Sequence, residues 1–273
     1  MGMPEALVIA AAAFAGGLIN SIAGGGTLLS FPALIWIGRD PILANATSTV
    51  ALWPASLAGV YGFRRELKGG RRWLLAFGAP SLVGGVLGAA LLLRTPSETF
   101  SRLVPFLILF ATLLIALQGP LSRWFGRGPA AAGVEGAADV EGEGGERADA
   151  RALPSRTWWA GAVVFQFFVG VYGGYFGAGI GILMIGALGL LGFADIHRMN
   201  ALKNVLAILI NGVAALWFIV SGAVVWADVL LMTAAAAAGG LAGARLAYRI
   251  GRRAARATVV VVGLLMTVSF LFR

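Results

Sequence analysis

The feature that most constrains the fold is a series of long apolar stretches that occupy most of the chain. Six of these stretches are uninterrupted: residues 43–63, 73–93, 100–118, 201–221, 227–248 and 254–272. Each is close to the roughly 20 apolar residues that a helix needs to cross a bilayer core. Only 12% of the 273 residues are charged, which is about half the share in soluble domains. The sequence therefore predicts an all-α integral membrane protein.

Two further apolar stretches, residues 6–37 and 157–193, are each interrupted by glycines. The first is broken by three glycines at 24–26 and the second by a glycine-rich run at 173–179. Glycine tolerates turn dihedrals and costs about 1 kcal/mol relative to alanine inside a helix. We therefore predict that each stretch enters the membrane and turns back as a hairpin of two short helices.

The two halves of the chain repeat with a constant offset, which aligns Gly26 with Gly181 and Asn45 with Asn200. Internal repeats of this kind are typical of secondary transporters. The segment between the halves is rich in glycine, alanine and charged residues and has too little apolar surface to order itself. The predicted domains are a first transmembrane repeat at 1–120, a flexible linker at 121–156 and a second repeat at 157–273.

The loop charges orient the repeats in the membrane. Basic residues cluster at 64–72 and at 245–256, and the positive-inside bias assigns both segments to the cytoplasm. The first of these loops corresponds in the repeat to the loop at 221–228, which carries no positive charge. We therefore predict two inverted repeats, each a glycine-broken hairpin plus three transmembrane helices, with a cytoplasmic linker and both termini outside. The basic residues that this topology leaves outside the cytoplasm are Arg39, Arg94, Arg102 and Arg273.

Composition also bears on the class of function. A net charge of +9 invites a nucleic-acid-binding hypothesis, but the basic residues lie beside apolar spans, as the positive-inside bias requires. We predict the lipid bilayer as a partner and no nucleic acid. The chain has no cysteine and one histidine, so neither thiolate nor histidine-cluster chemistry is expected. We predict no metal, no cofactor and no catalytic residue; a membrane enzyme remains an alternative, and a homo-oligomer is left open.

The glycine breaks are the first candidate binding site. Helix N-termini carry free N–H groups and a partial positive charge, which attract anions, and two breaks entering from opposite faces would bring such termini together. The alternative is that the glycines only allow close helix packing. The candidate substrate-binding residues here are Gly24, Gly25, Gly26 and Thr27 in the first half, and Tyr175, Gly177, Gly179 and Gly181 in the second.

A second group of candidates opens the span after each hairpin. Its members are Asn45, Thr47, Ser48 and Thr49 in the first half, and Asn200, Lys203, Asn204 and Asn211 in the second. Helical spacing puts Lys203, Asn204 and Asn211 on one face. A lysine in an apolar helix is costly and usually functional or paired, although it can also snorkel to the headgroups. Asp40 and Asp195 precede their spans and are predicted helix caps.

Several motifs resemble the TauE/SafE family, also called TSUP. They are GGLINSIAGGGTLLSFPAL at 16–34, NATS at 45–48, GVYGGYFGAGIG at 170–181 and NALKN at 200–204. The resemblance implies a permease of the bacterial cytoplasmic membrane for small anions, often sulfur-containing ones such as sulfite or organosulfonates. Together with the residue pattern, it favours alternating access around a midplane site. An anion channel and a carrier of small carboxylates remain alternatives.

Overall fold

The structure is a computed structural model, and it describes residues 2–22, 25–62, 71–125, 156–190 and 196–272. Within these ranges the chain forms nine α-helices and no β-strand. In chain order the helices are α1 (Met3–Ile22), α2 (Thr27–Trp36), α3 (Pro41–Gly62), α4 (Arg71–Arg94), α5 (Ser97–Phe125), α6 (Arg156–Tyr175), α7 (Ile180–Leu190), α8 (Ile196–Val220) and α9 (Trp226–Leu271). Each predicted span falls on one of them to within one residue. α5 also runs five residues beyond the predicted end of the first repeat.

Large apolar side chains cover the outside of this helix assembly. Leu75, Phe106 and Phe168 are each more than 60% exposed, an arrangement that lipid solvates and water does not. In the described ranges, six segments are long and apolar enough to cross a membrane: Met3–Asn20, Trp73–Arg94, Ser97–Gln118, Arg198–Val220, Trp226–Gly243 and Ala254–Leu271. The prediction of an all-α integral membrane protein is confirmed.

The first glycine break turns the chain back on itself. Gly25 has a φ of +91°, and Gly26 packs against the backbone of Gly16 in α1. The two helices of this hairpin are unequal, with 20 residues in α1 and 10 in α2. The second hairpin has 20 residues in α6 and 11 in α7. The prediction of two short helices is therefore wrong for the first helix of each hairpin, because the chain stays helical up to the break.

The last helix, α9, joins two predicted spans in one helix of 46 residues, and this helix is bent. Ala236 contacts Gly17 of α1, whereas Val259 contacts Gly25 at the break that packs back onto α1. These contacts keep Ala236 and Val259 within about 25 Å of each other, given the spacing of consecutive Cα atoms. A straight helix would separate them by about 35 Å. α9 therefore bends between residues 236 and 259, and it stays helical through 245–256, where the sequence predicts a loop.

The start of α3 follows from two residues. Asp40 Oδ1 accepts hydrogen bonds from the backbone N–H groups of Ile42 at 2.9 Å and Leu43 at 3.3 Å. Pro41 is the first helical residue, a position where its missing N–H costs nothing. The predicted capping role of Asp40 is confirmed, and Asp195 lies outside the described residues. The cap fixes where α3 begins and so sets the height of Asn45 and Ser48 in the helix assembly.

Two close helix crossings hold the hairpins in place. α4 packs along α6, and α1 packs along α9. In the first crossing Gly84 faces the backbone carbonyl of Phe167, and in the second Gly239 faces that of Phe14; a Cβ atom at either glycine would overlap the oxygen. Small residues permit such approaches between membrane helices, where van der Waals packing is a main source of association.

Candidate functional site

The first glycine break is tightly packed. A side chain at Gly25 would meet Ile115 Cδ1 at 2.7 Å and Val259 Cγ1 at 3.4 Å, and one at Gly26 would overlap the carbonyl of Gly16. The alternative role of the glycines, to allow close helix packing, therefore applies to this break. Gly26 also forms the N-cap of α2. The next residue, Thr27, is half-buried. Gly24 lies outside the described residues.

The second glycine break lies between α6 and α7. Gly177 and Gly179 both have a φ of +80°, a conformation that favours glycine. The Tyr172 hydroxyl donates a hydrogen bond to the carbonyl of Ala178 at 2.7 Å and so ties the break to α6. Asn211 Oδ1 of α8 lies 3.5 Å from the Cβ position of Gly177. The structure thus brings the deepest of the predicted polar residues to this break.

Lys203 lies against the first turn of α7. Its Cδ, Cγ and Cε atoms are 3.1, 3.6 and 3.7 Å from the position that a Cβ of Gly181 would take. Glycine at this position leaves room for the lysine stem to pass along the helix N-terminus. The lysine stem therefore lies beside the N-terminus of α7, where the first N–H groups have no partner within the helix. Lys203 itself is half-buried.

Asn45 links the two halves of the chain. Its Nδ2 donates a hydrogen bond to the carbonyl of Tyr175 at 3.0 Å, at the last residue of α6. Asn45 is only 1% exposed, and among the described residues its Oδ1 has no hydrogen-bond partner. Since a backbone carbonyl can only accept, the amide nitrogen must face Tyr175. The free atom of Asn45 is therefore an acceptor.

Two buried serines continue this polar cluster. The hydroxyls of Ser30 and Ser48 are 2.7 Å apart, and Ser30 also donates to the Gly26 carbonyl at 3.4 Å. Both serines have no exposed surface. Ser48 lies three residues after Asn45, on the same face of α3.

The other polar candidates of α3 turn elsewhere. Thr47 Oγ1 accepts a hydrogen bond from the backbone N–H of Val225 at 3.1 Å, which holds the start of α9. Thr49 donates to the carbonyl of Asn45 at 2.9 Å within its own helix. In the second half, Asn200 and Asn204 are half-buried on α8.

An aromatic cluster adjoins the second break and was not predicted from the sequence. Phe31 and Phe176 meet edge to face at 5.5 Å, and Phe100 meets Phe31 at 6.4 Å and Tyr175 at 5.6 Å. The Tyr175 hydroxyl is 3.3 Å from Thr95 Oγ1, in the turn between α4 and α5. The phenylalanines resemble ordinary core residues in the sequence, so no pattern marks them. Together they pack α2 and α5 against the second break.

An ion pair with a buried carboxylate was also not predicted from the sequence. Arg39 donates to both carboxylate oxygens of Asp228, at 2.7 and 3.1 Å, and Asp228 has no exposed surface. The hydrogen bond to Asp228, then its charge and that of Glu5, raise the pKa of the Arg39 guanidinium against an opposing effect of burial. The sequence did hold a signal, because Arg39 is one of the arginines outside the predicted cytoplasmic charge pattern.

The helices, their lipid-facing surfaces and the polar residues between the two broken hairpins define a multi-pass membrane protein with an internal polar site. The family model described as "Sulfite exporter TauE/SafE" matches residues 8–270. The chain therefore belongs to the TauE/SafE family.

Relatives of this chain are known from several bacteria. It is 25% identical to a "Probable membrane transporter protein" of Haemophilus influenzae over all of this chain and 96% of the relative. It is 27% identical to the "Probable membrane transporter protein YfcA" of Escherichia coli K12, over 94% of this chain and 86% of the relative. A protein of Sinorhizobium sp., "Probable membrane transporter protein ORF9", is 26% identical over 95% and 90%. No solved structure gives a significant match. The family and these relatives identify the chain as a membrane transporter.

Proposed function

We propose that this membrane transporter carries small anions, by alternating access around a site between the two glycine breaks. The observation that carries the proposal is the course of Lys203 along the first turn of α7, past Gly181. A lysine and the helix N-terminus beside its stem supply both a full positive charge and oriented N–H donors. Asn211 adds a polar group at the same break.

Sulfur oxyanions suit such a site well. Sulfite and sulfonates have a compact headgroup with several oxygens that accept hydrogen bonds from N–H groups and ammonium. The description of the family as a sulfite exporter supports this class. Small carboxylates offer two oxygens and the single negative charge of a sulfonate, so they are the natural competitors. In this function the substrate crosses the membrane chemically unchanged.

Binding gives the first test of this proposal. Sulfite, thiosulfate or an organosulfonate is expected to raise the melting temperature of the purified protein, since a ligand that binds only the native state stabilises it by about 2.7 kcal/mol at 100 times its Kd. Methanesulfonate and the uncharged dimethyl sulfone form a matched pair for this measurement. Stabilisation by methanesulfonate alone supports an anion site. Equal responses to both compounds, or no response of the folded protein to any anion, would contradict it.

We also propose that the two repeats are inverted, with the linker in the cytoplasm and both termini outside. The packing supports this, because α4 lies on α6 as α1 lies on α9, and each crossing uses one of the repeat-related glycines 84 and 239. The pairing of Arg39 with Asp228 is further support, since the topology assigns both residues to the outer face.

Cysteine labelling tests this topology directly, because the chain has no native cysteine. Single cysteines replacing Met3 and Phe272 are expected to react with an impermeant reagent added outside intact cells. A cysteine replacing Lys68, in the predicted cytoplasmic loop, is the matched control and should react only after lysis. Labelling of either terminus only after lysis would remove the inverted topology.

A further inference from the structure

The buried oxygen of Asn45 has the wrong polarity for an anion. Its side chain is 1% exposed, and its amide nitrogen is engaged by the Tyr175 carbonyl at 3.0 Å. The Oδ1 atom has no partner among the described residues. A buried acceptor without a donor is unfavourable, because it has lost its hydrogen bonds to water. An anion would repel this oxygen, whereas a cation would satisfy it.

Other neutral oxygens adjoin the face of α3 that carries Asn45. Ser48 is on the same face of α3, and its hydroxyl is 2.7 Å from that of Ser30. Ser30 in turn reaches the carbonyl of Gly26, at the first break. The cluster of Asn45, Ser48, Ser30 and the Gly26 carbonyl therefore combines side-chain and backbone oxygens, all in positions that are nearly or fully buried.

The helix beside this cluster adds negative potential. Tyr175, which accepts the hydrogen bond of Asn45, is the last residue of α6. The C-terminal end of a helix carries a partial negative charge and favours cations. Broken membrane helices use such ends, together with unwound carbonyls, to hold Na⁺ in transporters.

We propose that this oxygen cluster, centred on Asn45, binds a sodium ion that is coupled to the anion. The inference rests on the proposed function of the neighbouring anion site. Sodium fits better than a divalent cation, because the cluster contributes no carboxylate to offset a second charge. The second break separates the negative end of α6 from the positive end of α7, so sodium on one side and the anion on the other attract each other. Each ion then tightens the binding of the other by the same factor.

The test measures sodium and anion binding to the purified full chain at constant ionic strength. Sodium chloride, potassium chloride and N-methylglucamine chloride are compared, first alone and then with sulfite. We expect sodium alone to raise the melting temperature in a saturable way, and the affinity for sulfite to be at least tenfold higher in sodium than in N-methylglucamine.

Three variants assign the effect to the cluster. Asn45→Leu is expected to abolish both sodium responses. Ser48→Ala is a smaller change, which is expected to keep the fold even where Asn45→Leu does not. We expect it to lower the affinity for sodium about tenfold. Thr233→Val is the matched control, because it removes a hydrogen bond from α9 to the Ala51 carbonyl of α3, at 3.2 Å, and leaves the cluster intact. It should respond to sodium as the wild type does.

The outcomes separate this inference from the proposed function. Sulfite binding that is equal in all three salts, or a sodium response that Ser48→Ala and Asn45→Leu leave unchanged, would overturn the sodium site while the anion site stands. An equal response to potassium would overturn the choice of sodium. If sulfite and the other anions bind in no salt, the proposed function itself fails.

Discussion

Replacing Arg39 by alanine is expected to destabilise the folded protein by about 3 kcal/mol, the lower end of the cost of removing one partner from a buried ion pair, because Asp228 is buried and the Arg39 side chain is 29% exposed. Asp228 has no exposed surface and receives two hydrogen bonds from Arg39. Without the guanidinium, the buried carboxylate would lose both hydrogen bonds from Arg39 and its opposite charge. The melting temperature of the purified variant measures the effect.

A second ion pair provides the control for this prediction. Arg102 and Glu98 are equally close, at 2.6 Å, but about three-quarters of each side chain is exposed. Arg102→Ala should therefore change the stability by no more than about 1 kcal/mol. Adding Asp228→Ala to Arg39→Ala should restore part of the lost stability, because it removes the uncompensated charge. Equal losses from Arg39→Ala and Arg102→Ala would show that burial gives the first pair no special weight.

Lys203→Met is expected to weaken anion binding tenfold to a hundredfold. The methionine keeps an aliphatic stem against Gly181 and removes the ammonium group, with its charge and its hydrogen-bond donors. The loss of a hydrogen bond to a charged group corresponds to about 1.5–3 kcal/mol, and each 1.4 kcal/mol is tenfold in affinity. Titration of the purified variant with sulfite measures the change.

The shift in melting temperature on adding sulfite distinguishes this role from a structural one. Each variant is measured without and with sulfite, and the shift that sulfite causes is expected to shrink in Lys203→Met; Lys203→Arg, which retains the charge, should recover part of the affinity. If Lys203→Met binds sulfite with wild-type affinity, the lysine serves only to reach the headgroup region, and the site belongs to the helix N-termini.

The sequence predicts the spans well because each depends on one strong signal, the length of an apolar stretch. The cap at Asp40 was equally readable, since an acidic residue before a proline is a local signal for a helix start. The lengths of the helices in each hairpin could not be predicted in this way, and neither could the continuity of α9 across two predicted spans. Both depend on where a helix meets its neighbours, as when Gly26 packs on Gly16, and periodicity carries no information on such contacts.

In the candidate site, too, the sequence predicts some residues and cannot show features that depend on distant contacts. Sequence position led to Lys203 and Asn211, and the structure puts both beside the second break. The sequence could not show which side-chain atom of Asn45 lacks a hydrogen-bond partner, because that depends on the Tyr175 carbonyl, 130 residues away. Sites built from neutral oxygens also lack the acidic or histidine clusters by which metal sites are recognised in sequences. The predicted threonines 47 and 49 are engaged in hydrogen bonds within the helix framework.

Counterflow in proteoliposomes tests the carrier hypothesis most directly. Vesicles containing the purified protein are loaded with unlabelled sulfite, and radiolabelled sulfite is added outside. A carrier that exposes its site alternately should take up label transiently above its equilibrium level, with a rate that saturates with external sulfite and falls with Lys203→Met. A channel would let the label equilibrate without overshoot and without acceleration by internal anion. Equilibration of that kind would contradict alternating access, and the absence of any anion flux would contradict anion transport itself.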